Sequence, residues 1–369
     1  MILFITRKYP PSVGGMQQLS YELTTAVGRQ ASTKVIKWGG SQKWLPLFTL
    51  YALARALWLL ATRPVDVIHV GDPVLSPLGL LLRFLGKRPV VINAHGLDVI
   101  YPSKLYQLII PAAMRHLDFV ICISEHTRQL CLTRGIQARR TKVIPVGVNV
   151  DRFRLSLDEK ERHNWRTAWG LTARTQHILL TVGRLVPRKG VCFFVSEVLP
   201  ALARLRNDWV YLIVGDGPDR RRIREAVWHQ GLEDKVRILG QVPDEELRAA
   251  YAMATLFAMP NVPVAGDSEG FGLVTLEARA AGLPIVASSL EGITASFDSA
   301  DDGILVPPGD VEAFVKGIHK LLEAELTLED RLRRRDKMRS RYDWSSIARE
   351  YLEVFQDVQT IYCQKGKRG

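Results

Sequence analysis

The chain has 369 residues, a length that suits two domains of common size, each with its own core. Its four cysteines share no C-x-x-C and no zinc-ligand spacing, which argues against a disulfide framework or a structural metal and favours a reduced, cytoplasmic protein. The net charge is +12, and the excess lies in residues 1–150, with 18 Lys and Arg against 6 Asp and Glu; residues 151–369 hold 32 of each. This basic half favours an acidic partner such as nucleic acid, anionic lipid or a phosphorylated substrate, or else a merely solubilising surface.

Short runs rich in Val and Ile alternate with helical segments along nearly the whole chain, a pattern that predicts parallel sheets covered by helices. The predicted strands are Ile2–Thr6, Lys34–Trp38, Val65–Val70, Pro89–Ala94, Phe119–Ile123, Lys142–Pro145, His177–Val182, Val210–Val214, Val236–Leu239, Thr255–Met259, Pro284–Ala287 and Gly303–Val306. The predicted helices include Gln17–Arg29, Lys104–His116, Val191–Arg206, Arg220–Gln230, Glu245–Ala254, Gly272–Ala281 and Val311–Leu322.

Two apolar stretches near the beginning bear on membranes. "MILFITRKYPP" turns after about eight residues, which is typical of a first buried strand and not of a cleaved signal peptide. "WLPLFTLYALARALWLLA" (44–61) is about as long as a short span, but Pro46 and Arg55 disfavour spanning. A largely buried helix on a sheet is the favoured interpretation, and a helix lying on a membrane surface is the alternative.

The polar stretch 144–166 separates the two series of strands. We therefore predict two doubly wound, Rossmann-like α/β domains, residues 1–150 and 151–343, with a hinge near 147–155 and a ligand site in the cleft between them. The helical stretch 344–364 has no strand after it and is a candidate to pack back on the first domain. The basic stretch 331–341 is interpreted as a solvated helix face.

Glycine turns follow several strands. "YPPSVGG" (9–15) precedes a helix, where Gly14 and Gly15 could let backbone N–H groups approach a phosphate, although such a turn is also expected without any function. For "VGDGP" (214–218) plain turn chemistry is favoured. "VGRLVPRKG" (182–190) is more informative. Arg184 leaves the end of a strand, and Arg188 and Lys189 follow across a turn, so at least two cations can converge at a site that suits a pyrophosphate; exposed loop cations are the alternative.

Three further side chains are candidates for the site. His95 in "INAHGLDV" (92–99) ends a strand, and a structural or a catalytic role is about equally expected. Glu269 and Glu277 flank a glycine turn and the start of a helix, whose free N–H groups favour a negative ligand. Paired carboxylates suit the vicinal hydroxyls of two sugar rings, whereas a capping Glu269 and a surface Glu277 would need no ligand.

Several motifs are absent from the sequence. It contains no G-x-x-x-x-G-K-[ST], no G-x-S-x-G, no H-E-x-x-H and no D-x-D. These absences argue against a P-loop phosphotransferase, a serine hydrolase, a zinc protease and a carboxylate-bound divalent ion. The basic half also lacks the interleaved aromatics of a nucleic-acid stacking platform, so no nucleic-acid partner is expected.

Taken together, these motifs resemble retaining glycosyltransferase family 4, whose members have the two-domain GT-B architecture. The resemblance covers nearly the whole chain, from the P-P-x-x-G-G turn through "HGLD", "IPVGVNVDRF", "VGRLVPRKG" and "VGDGP" to the E-x7-E pair, "AAGLPIVAS" and "GILVPPGD". The combination of R-x4-K with E-x7-E is specific, although each piece alone is not. The family's hinge often reads N-G-V-D, whereas this chain has "VGVN" (146–149).

The resemblance implies roles for these residues. Arg184 and Lys189 would hold the donor's diphosphate and stabilise it as leaving group. Glu269 would contact hydroxyls of the transferred sugar, and Glu277 would bind the ribose. The backbone N–H groups of Phe271, Gly272 and Leu273 would reach the sugar or the diphosphate. In the first domain, Gly14 and Gly15 would approach the diphosphate, and His95 would lie near the reacting centre.

The reaction implied is transfer of a sugar from a UDP- or GDP-linked donor to a glycan or lipid-linked hydroxyl, with retention and without a metal or other cofactor. Cell-surface polysaccharide, lipopolysaccharide or glycolipid synthesis would use it. A basic acceptor domain with a Trp- and Leu-rich helix suits peripheral association with the cytoplasmic face of an anionic membrane. A nucleotide-sugar epimerase of the same architecture and a non-catalytic glycan- or nucleotide-binding relative are the alternatives.

Overall fold

The structure, a computed structural model, describes residues 1–12, 14–96, 98–265 and 272–366. The chain divides into two compact units. Unit 1 comprises Met1–Gly147 and Tyr342–Gly369, and unit 2 comprises Val148–Arg341. Each unit has a six-stranded sheet in which every described pairing is parallel. The predicted fold class, two doubly wound α/β domains, is confirmed.

Unit 1 places its strands in the order β2-β1-β3-β4-β5-β6. The strands are β1 (Ile2–Thr6), β2 (Thr33–Lys37), β3 (Val67–Val70), β4 (Val90–Ala94), β5 (Phe119–Cys122) and β6 (Thr141–Val143). Its helices are α1 (Gly15–Gln30), α2 (Leu45–Thr62), α3 (Ser76–Gly86), α4 (Lys104–Arg115) and α5 (Glu125–Thr133), together with the C-terminal α15 (Trp344–Gly366).

Unit 2 has the order β12-β11-β10-β7-β8-β9. The strands are β7 (His177–Val182), β8 (Trp209–Val214), β9 (Val236–Gly240), β10 (Leu256–Met259), β11 (Ile285–Ser288) and β12 (Gly303–Val306). The helices are α6 (Glu159–Ala168), α7 (Val191–Phe193), α8 (Leu199–Leu205), α9 (Arg220–His229), α10 (Asp244–Met253), α11 (Leu273–Ala280), α12 (Glu291–Thr294), α13 (Val311–Glu323) and α14 (Leu328–Tyr342). A π-helical stretch, Phe194–Val198, joins α7 to α8.

The strand orders determine where ligands can enter. Parallel strands with helices on both faces bury nearly every side chain, as in β1, β4 and β8, whose residues are all buried. In each sheet the order reverses next to the unit's first strand, between β1 and β3 in unit 1 and between β7 and β10 in unit 2. The loops beyond such neighbouring strands leave on opposite faces and open a crevice at the carboxyl ends.

The expectation that 44–61 forms a largely buried helix is wrong. Only 22% of α2 is buried, although among the described helices it alone is long and apolar enough to cross a bilayer. Phe48, Ala52, Ala56 and Leu59 face the core, and the other side of the helix is exposed. The interpretation failed because an apolar stretch without clear amphipathic periodicity does not reveal which of its faces is covered.

Two polar stretches contain features that the sequence pattern did not predict. The stretch 144–166 contains the start of α6, which begins with a capping box in which Asp158 and Glu161 accept from each other's backbone N–H groups. In the basic stretch 331–341, Arg331 is buried and not solvated, because its guanidinium donates to the carbonyls of Leu155, Ala252 and Ala254. Burial removes water from the Arg331 guanidinium, and the carbonyls at the C-terminal end of α10 compensate its positive charge.

The C-terminal helix α15 belongs to unit 1, where it packs on α1. Tyr351 is fully enclosed and exchanges hydrogen bonds with Asn93, at 2.9 and 3.1 Å. Asn93 Oδ1 also lies 3.1 Å from His69 Nε2, and Phe355 packs edge-on against the His69 ring. Burial is the main cause that lowers the pKa of His69 to about 4, so this histidine is neutral in the folded protein.

Candidate functional site

The first group of predicted site residues lies at the carboxyl end of β7. Arg184 follows the strand and is exposed, whereas Lys189, at the end of the 3-10 turn Pro187–Lys189, is buried. The lysine side chain passes beside Gly183: a methyl group there would lie 3.6 Å from its Cε and 3.8 Å from its Nζ. The structure therefore brings both predicted cations to one strand end.

Close backbone contacts fix the position of this turn. A methyl group at Gly190, whose φ is +64°, would lie 1.8 Å from the carbonyl oxygen of Pro260, just beyond β10. The Val262 N–H donates to the Arg188 carbonyl at 3.0 Å. Only glycine permits this approach. The turn "RKG" (188–190) is therefore held against residues 260–262, which precede Glu269 in the sequence.

The "VGDGP" turn belongs to the same region. A methyl group at Gly215, where φ is +133°, would lie 1.9 Å from the Gly183 carbonyl oxygen. Gly183, Arg184, Gly215 and Asp216 are among the residues that line one open cleft of unit 2. The turn after β8 thus supports the turn after β7 and forms part of its wall.

The second predicted group lies at the start of α11. Gly272 is the N-cap, in a left-handed conformation with φ of +65°, and the helix begins at Leu273. A methyl group at Gly272 would lie 3.2 Å from Met259 Cε, at the end of β10. Because β10 pairs with β7, the start of α11 lies beside the strand that carries Arg184. Glu269 and Phe271 lie outside the described residues.

Glu277 projects from α11 into a mostly buried environment. Its carboxylate Oε2 accepts a hydrogen bond from the Tyr251 hydroxyl at 2.8 Å. Burial raises the pKa of Glu277, while the Tyr251 hydrogen bond and the charge of Arg152 act in the opposite direction. The carboxylate is only partly exposed, so Glu277 is not the plain surface residue that the alternative interpretation described.

In unit 1, His95 follows β4 and is buried. Its Nε2 lies 3.0 Å from the Gly71 carbonyl, so this nitrogen carries the donated proton, and its backbone N–H donates to the Asp98 carboxylate at 3.0 Å. No described residue forms a hydrogen bond with the buried Nδ1. The ring is thus oriented by neighbouring strand ends.

Charged side chains surround this histidine at the carboxyl ends of β1 and β3. Arg7 Nε lies 2.9 Å from Asp72 Oδ1, and this carboxylate is 1% exposed. Burial, followed by the neighbouring Arg7, lowers the pKa of Lys8, and burial raises the pKa of Asp98. Arg7 and Asp72 are thus paired with each other at this switch point.

Gly14 and Gly15 occupy the predicted helix start in unit 1. Gly14 is the N-cap of α1, which begins at Gly15, and no side chain of the described residues caps it. The first turn of α1 also contains no acidic residue. The free N–H groups of this turn therefore carry a positive potential without a negative side chain of that turn to offset it.

Sequence reasoning missed Tyr251, Arg152 and Asp72. Tyr251 lies on α10, a helix that was predicted, but helical periodicity marks it only as a core residue. Arg152 and Asp72 stand in connecting segments where many charged residues are solvated. Each of them meets its partner only in the folded unit.

Comparison with known proteins agrees with this arrangement. The model described as Glycosyltransferase Family 4 matches residues 6–152, and the model described as Glycosyl transferases group 1 matches residues 176–324. The chain is 31% identical over 350 residues to a GDP-mannose-dependent alpha-(1-6)-phosphatidylinositol monomannoside mannosyltransferase of Mycolicibacterium smegmatis, covering 87% of this chain and 89% of that protein. A phosphatidyl-myo-inositol mannosyltransferase of Mycobacterium leprae is 30% identical over 298 residues, covering 80% and 74%.

Solved structures support the fold. The crystal structure of HepE from Anabaena in complex with UDP has a TM-score of 0.76 and 20% identity, covering 96% of this chain and 99% of that one. The fold is that of the GT-B glycosyltransferases. The chain belongs to glycosyltransferase family 4, and the predicted resemblance is confirmed. It is a glycosyltransferase, and the epimerase and the non-catalytic binding protein are not favoured.

Proposed function

We propose that this glycosyltransferase moves a sugar from a nucleotide diphosphate sugar to a hydroxyl of a glycan or lipid-linked acceptor, with retention of anomeric configuration. The observation that carries the proposal is the convergence in unit 2 of Arg184, Lys189 and the N-terminus of α11 at the β7–β10 switch point. Two cations and a helix N-terminus suit a diphosphate. Glu277, further along α11, would accept hydrogen bonds from the ribose.

The chemistry requires that negative charge be stabilised on the departing diphosphate. The bond between the anomeric carbon and the diphosphate oxygen breaks, and the electron pair leaves with the phosphate. Lys189, held beside Gly183, and Arg184 would stabilise this charge as it forms, and so would the free N–H groups at Leu273. Because these groups are fixed before the reaction, little reorganisation is needed.

Retention follows if the acceptor attacks from the face that the diphosphate leaves. The acceptor oxygen forms the new bond to the anomeric carbon, and its proton passes to an oxygen of the leaving phosphate, so atoms and charge balance. His95 is proposed near the reacting centre and Glu269 at hydroxyls of the transferred sugar. No residue is proposed as a covalent nucleophile.

The relatives suggest which donor and acceptor to test first. The Mycolicibacterium protein is named for GDP-mannose and a phosphatidylinositol monomannoside, and the Mycobacterium protein for phosphatidyl-myo-inositol. We propose GDP-mannose as donor and a mannosylated or otherwise glycosylated phospholipid as acceptor. A UDP-linked sugar remains the second donor, since HepE was crystallised with UDP.

A thermal-shift screen followed by an activity assay tests this proposal. A ligand that binds the folded protein raises its melting temperature, so GDP, UDP and ADP, each with its linked hexoses, are compared with and without EDTA. Transfer to the glycolipid acceptor is then measured, and NMR assigns the anomeric configuration of the product. Inversion would overturn retention, and activity lost on adding EDTA would overturn the proposed independence of metal. Binding of no nucleotide would overturn the donor site.

We further propose that unit 1 contacts an anionic membrane through an apolar face on α2, α3 and α4. Helix α3 packs against both α2 and α4. The exposed apolar side chains of this face are Leu47, Leu50, Tyr51, Trp58, Leu81, Phe84, Leu85, Leu105, Leu108 and Ile109. Residues 43–110 contain seven Lys and Arg against three Asp and no Glu. Apolar insertion with surrounding cations is the combination that binds anionic bilayers.

Vesicle co-sedimentation tests this surface. We expect the protein to bind vesicles containing anionic phospholipid and to bind neutral vesicles much less. The variant Trp58→Ser/Phe84→Ser/Leu108→Ser is expected to lose most of the binding, whereas Trp228→Ser, which removes a 68% exposed tryptophan of unit 2, serves as the matched control. Equal binding to both vesicle types, or equal loss in the control, would contradict the proposal.

A further inference from the structure

The environment of Glu277 contains a buried tyrosine with no assigned role. We propose that Tyr251 is a positioning residue that orients the Glu277 carboxylate towards the ribose hydroxyls of the donor. This inference rests on the proposed function, because it assumes that Glu277 binds a ribose.

Packing fixes the Tyr251 ring before any ligand arrives. Tyr251 is fully buried on α10. Phe153 packs against it edge-on, with ring centroids 5.2 Å apart, and Phe257 of β10 stacks on it at 6.0 Å. A tyrosine held by two rings has lost its rotamer freedom in folding, so directing its hydroxyl costs no further entropy when the ligand binds.

The Tyr251 hydrogen bond engages one of the two oxygens of the Glu277 carboxylate. Tyr251 donates to Oε2 at 2.8 Å. An ionised carboxylate has about four acceptor positions, and among the described residues the Tyr251 hydroxyl uses one of them. No hydrogen bond from a described side chain to the other oxygen, Oε1, competes with hydroxyl donors of a ligand. Two neighbouring hydroxyls, such as the 2′- and 3′-hydroxyls of a ribose, match a carboxylate held in one orientation.

Arg152 contributes from the segment through which the chain enters unit 2. It lies in the 3-10 turn Val150–Arg152 and forms an ion pair with Asp244, the first residue of α10. Its positive charge acts on Glu277, and Asp244 acts in the opposite sense. The Tyr251 hydrogen bond and the charge of Arg152 both oppose the rise in the pKa of Glu277 that burial causes, and only the ionised form is purely an acceptor.

The decisive experiment removes one hydroxyl from the protein and two from the ligand. Isothermal titration compares the nucleoside diphosphate that binds best, of GDP, UDP and ADP, with its 2′,3′-dideoxy form. We expect Tyr251→Phe to weaken binding of the natural nucleotide roughly tenfold and to leave the dideoxy form nearly unchanged. The preference for the natural nucleotide therefore falls.

The matched control is Tyr211→Phe in the same unit. Tyr211 is also fully buried, and its hydroxyl donates to Thr181 Oγ1 at 2.7 Å. This variant loses a comparable hydrogen bond away from Glu277, so the nucleotide preference is expected to stay as in the wild type. Equal weakening of both ligands by Tyr251→Phe would identify a purely structural tyrosine and overturn the inference.

The pH dependence of binding gives an independent readout. Because the Tyr251 hydroxyl stabilises the ionised carboxylate, its loss raises the pKa of Glu277. As the pH is lowered, nucleotide affinity is therefore expected to begin to fall at a higher pH in Tyr251→Phe than in the wild type. Arg152→Gln is expected to shift this fall in the same direction while leaving the dideoxy preference intact. An unshifted profile in both variants would overturn the inference.

Failure of the inference can be told from failure of the proposed function. If the wild type binds no nucleoside diphosphate, the proposed donor site is wrong, and the inference about Tyr251 loses its premise. If the wild type binds the natural nucleotide better than its dideoxy form and Tyr251→Phe keeps that preference, the donor site stands and only the role of Tyr251 is overturned.

Discussion

The two sheets reverse their strand order beside the first strand of each unit, and an arginine follows that strand in both. In unit 1, Arg7 follows β1 and lies 2.9 Å from Asp72, whose carboxylate is 1% exposed. In unit 2, Arg184 follows β7, is exposed and lines an open cleft. The same topology thus places a cation at the same point, and only one of the two is open to a ligand.

This difference separates fold from function. A crevice at a switch point is a consequence of winding direction, so it exists in both units. What the crevice can bind depends on whether its charges are already compensated by the protein. In unit 1 the arginine is held in an ion pair, whereas in unit 2 the arginine is exposed beside a glycine-supported turn, a combination that suits an anion.

The largest expected effect is in unit 2. Lys189→Met keeps most of the side-chain volume and removes the charge beside Gly183. Because this charge would stabilise the departing diphosphate, we expect kcat to fall by about 10³-fold, or about 4 kcal/mol, measured as initial rates at saturating donor. Lys316→Met, on the exposed face of α13, is the control. Near-normal turnover in the Lys189 variant would contradict the assigned diphosphate site.

The second prediction concerns the paired charges of unit 1. Asp72→Asn leaves Arg7 without its carboxylate, and a largely buried guanidinium without a counter-charge is costly. We expect the free energy of unfolding of unit 1 to fall by about 3 kcal/mol, measured by urea denaturation. Nucleotide binding in unit 2 should be unchanged, and a loss of binding at full stability would reverse the comparison between the two switch points.

Most of the fold could be predicted from the sequence. All twelve described strands match predicted ones, with ends that differ by at most two residues. Strands buried on both faces, such as β1, β4 and β8, are marked by continuous apolar runs. Helix α6 was missed because its composition is charged, although the D-x-x-E capping box at Asp158 was a readable signal. For α2, composition predicted a helix but could not tell which face lacks a neighbour.

The candidate site was predictable where a local motif carries it. Arg184 and Lys189 are marked by their spacing, and the structure does bring them to one strand end. Tyr251 and Asp72 are different, because each meets its partner only in the folded unit. Tyr251 lies 26 residues from Glu277 along the chain, and Asp72 lies 65 residues from Arg7. No local pattern records such pairs.

A third prediction uses the acid sensitivity of unit 1. His69 is neutral in the fold, with a pKa of about 4, whereas an unfolded histidine has a pKa near 6.5. Its contribution to stability is present above pH 6.5 and is lost as pH falls towards 4, by about 2 kcal/mol at pH 5. We expect His69→Gln to flatten this part of the stability profile, measured by denaturation between pH 7.5 and 5. His116→Gln, at an exposed position, should retain the wild-type slope.

The smallest expected effect concerns the Glu277 carboxylate. Its replacement is expected to raise stability, whereas replacement of Asp72 is expected to lower it. Burial raises the pKa of Glu277, so ionisation at neutral pH costs stability, and this cost appears as pH rises through the folded-state value. Glu277→Gln cannot ionise and should raise the melting temperature of unit 2 by about 2 °C at pH 7.5, with no gain at pH 4. Glu197→Gln, at an exposed position of the same unit, should change neither. A carboxylate that destabilises its own fold is expected at a site where a bound ligand supplies the missing hydrogen bonds. A loss of stability in Glu277→Gln would therefore assign this residue to the core of unit 2 and not to its ligand site.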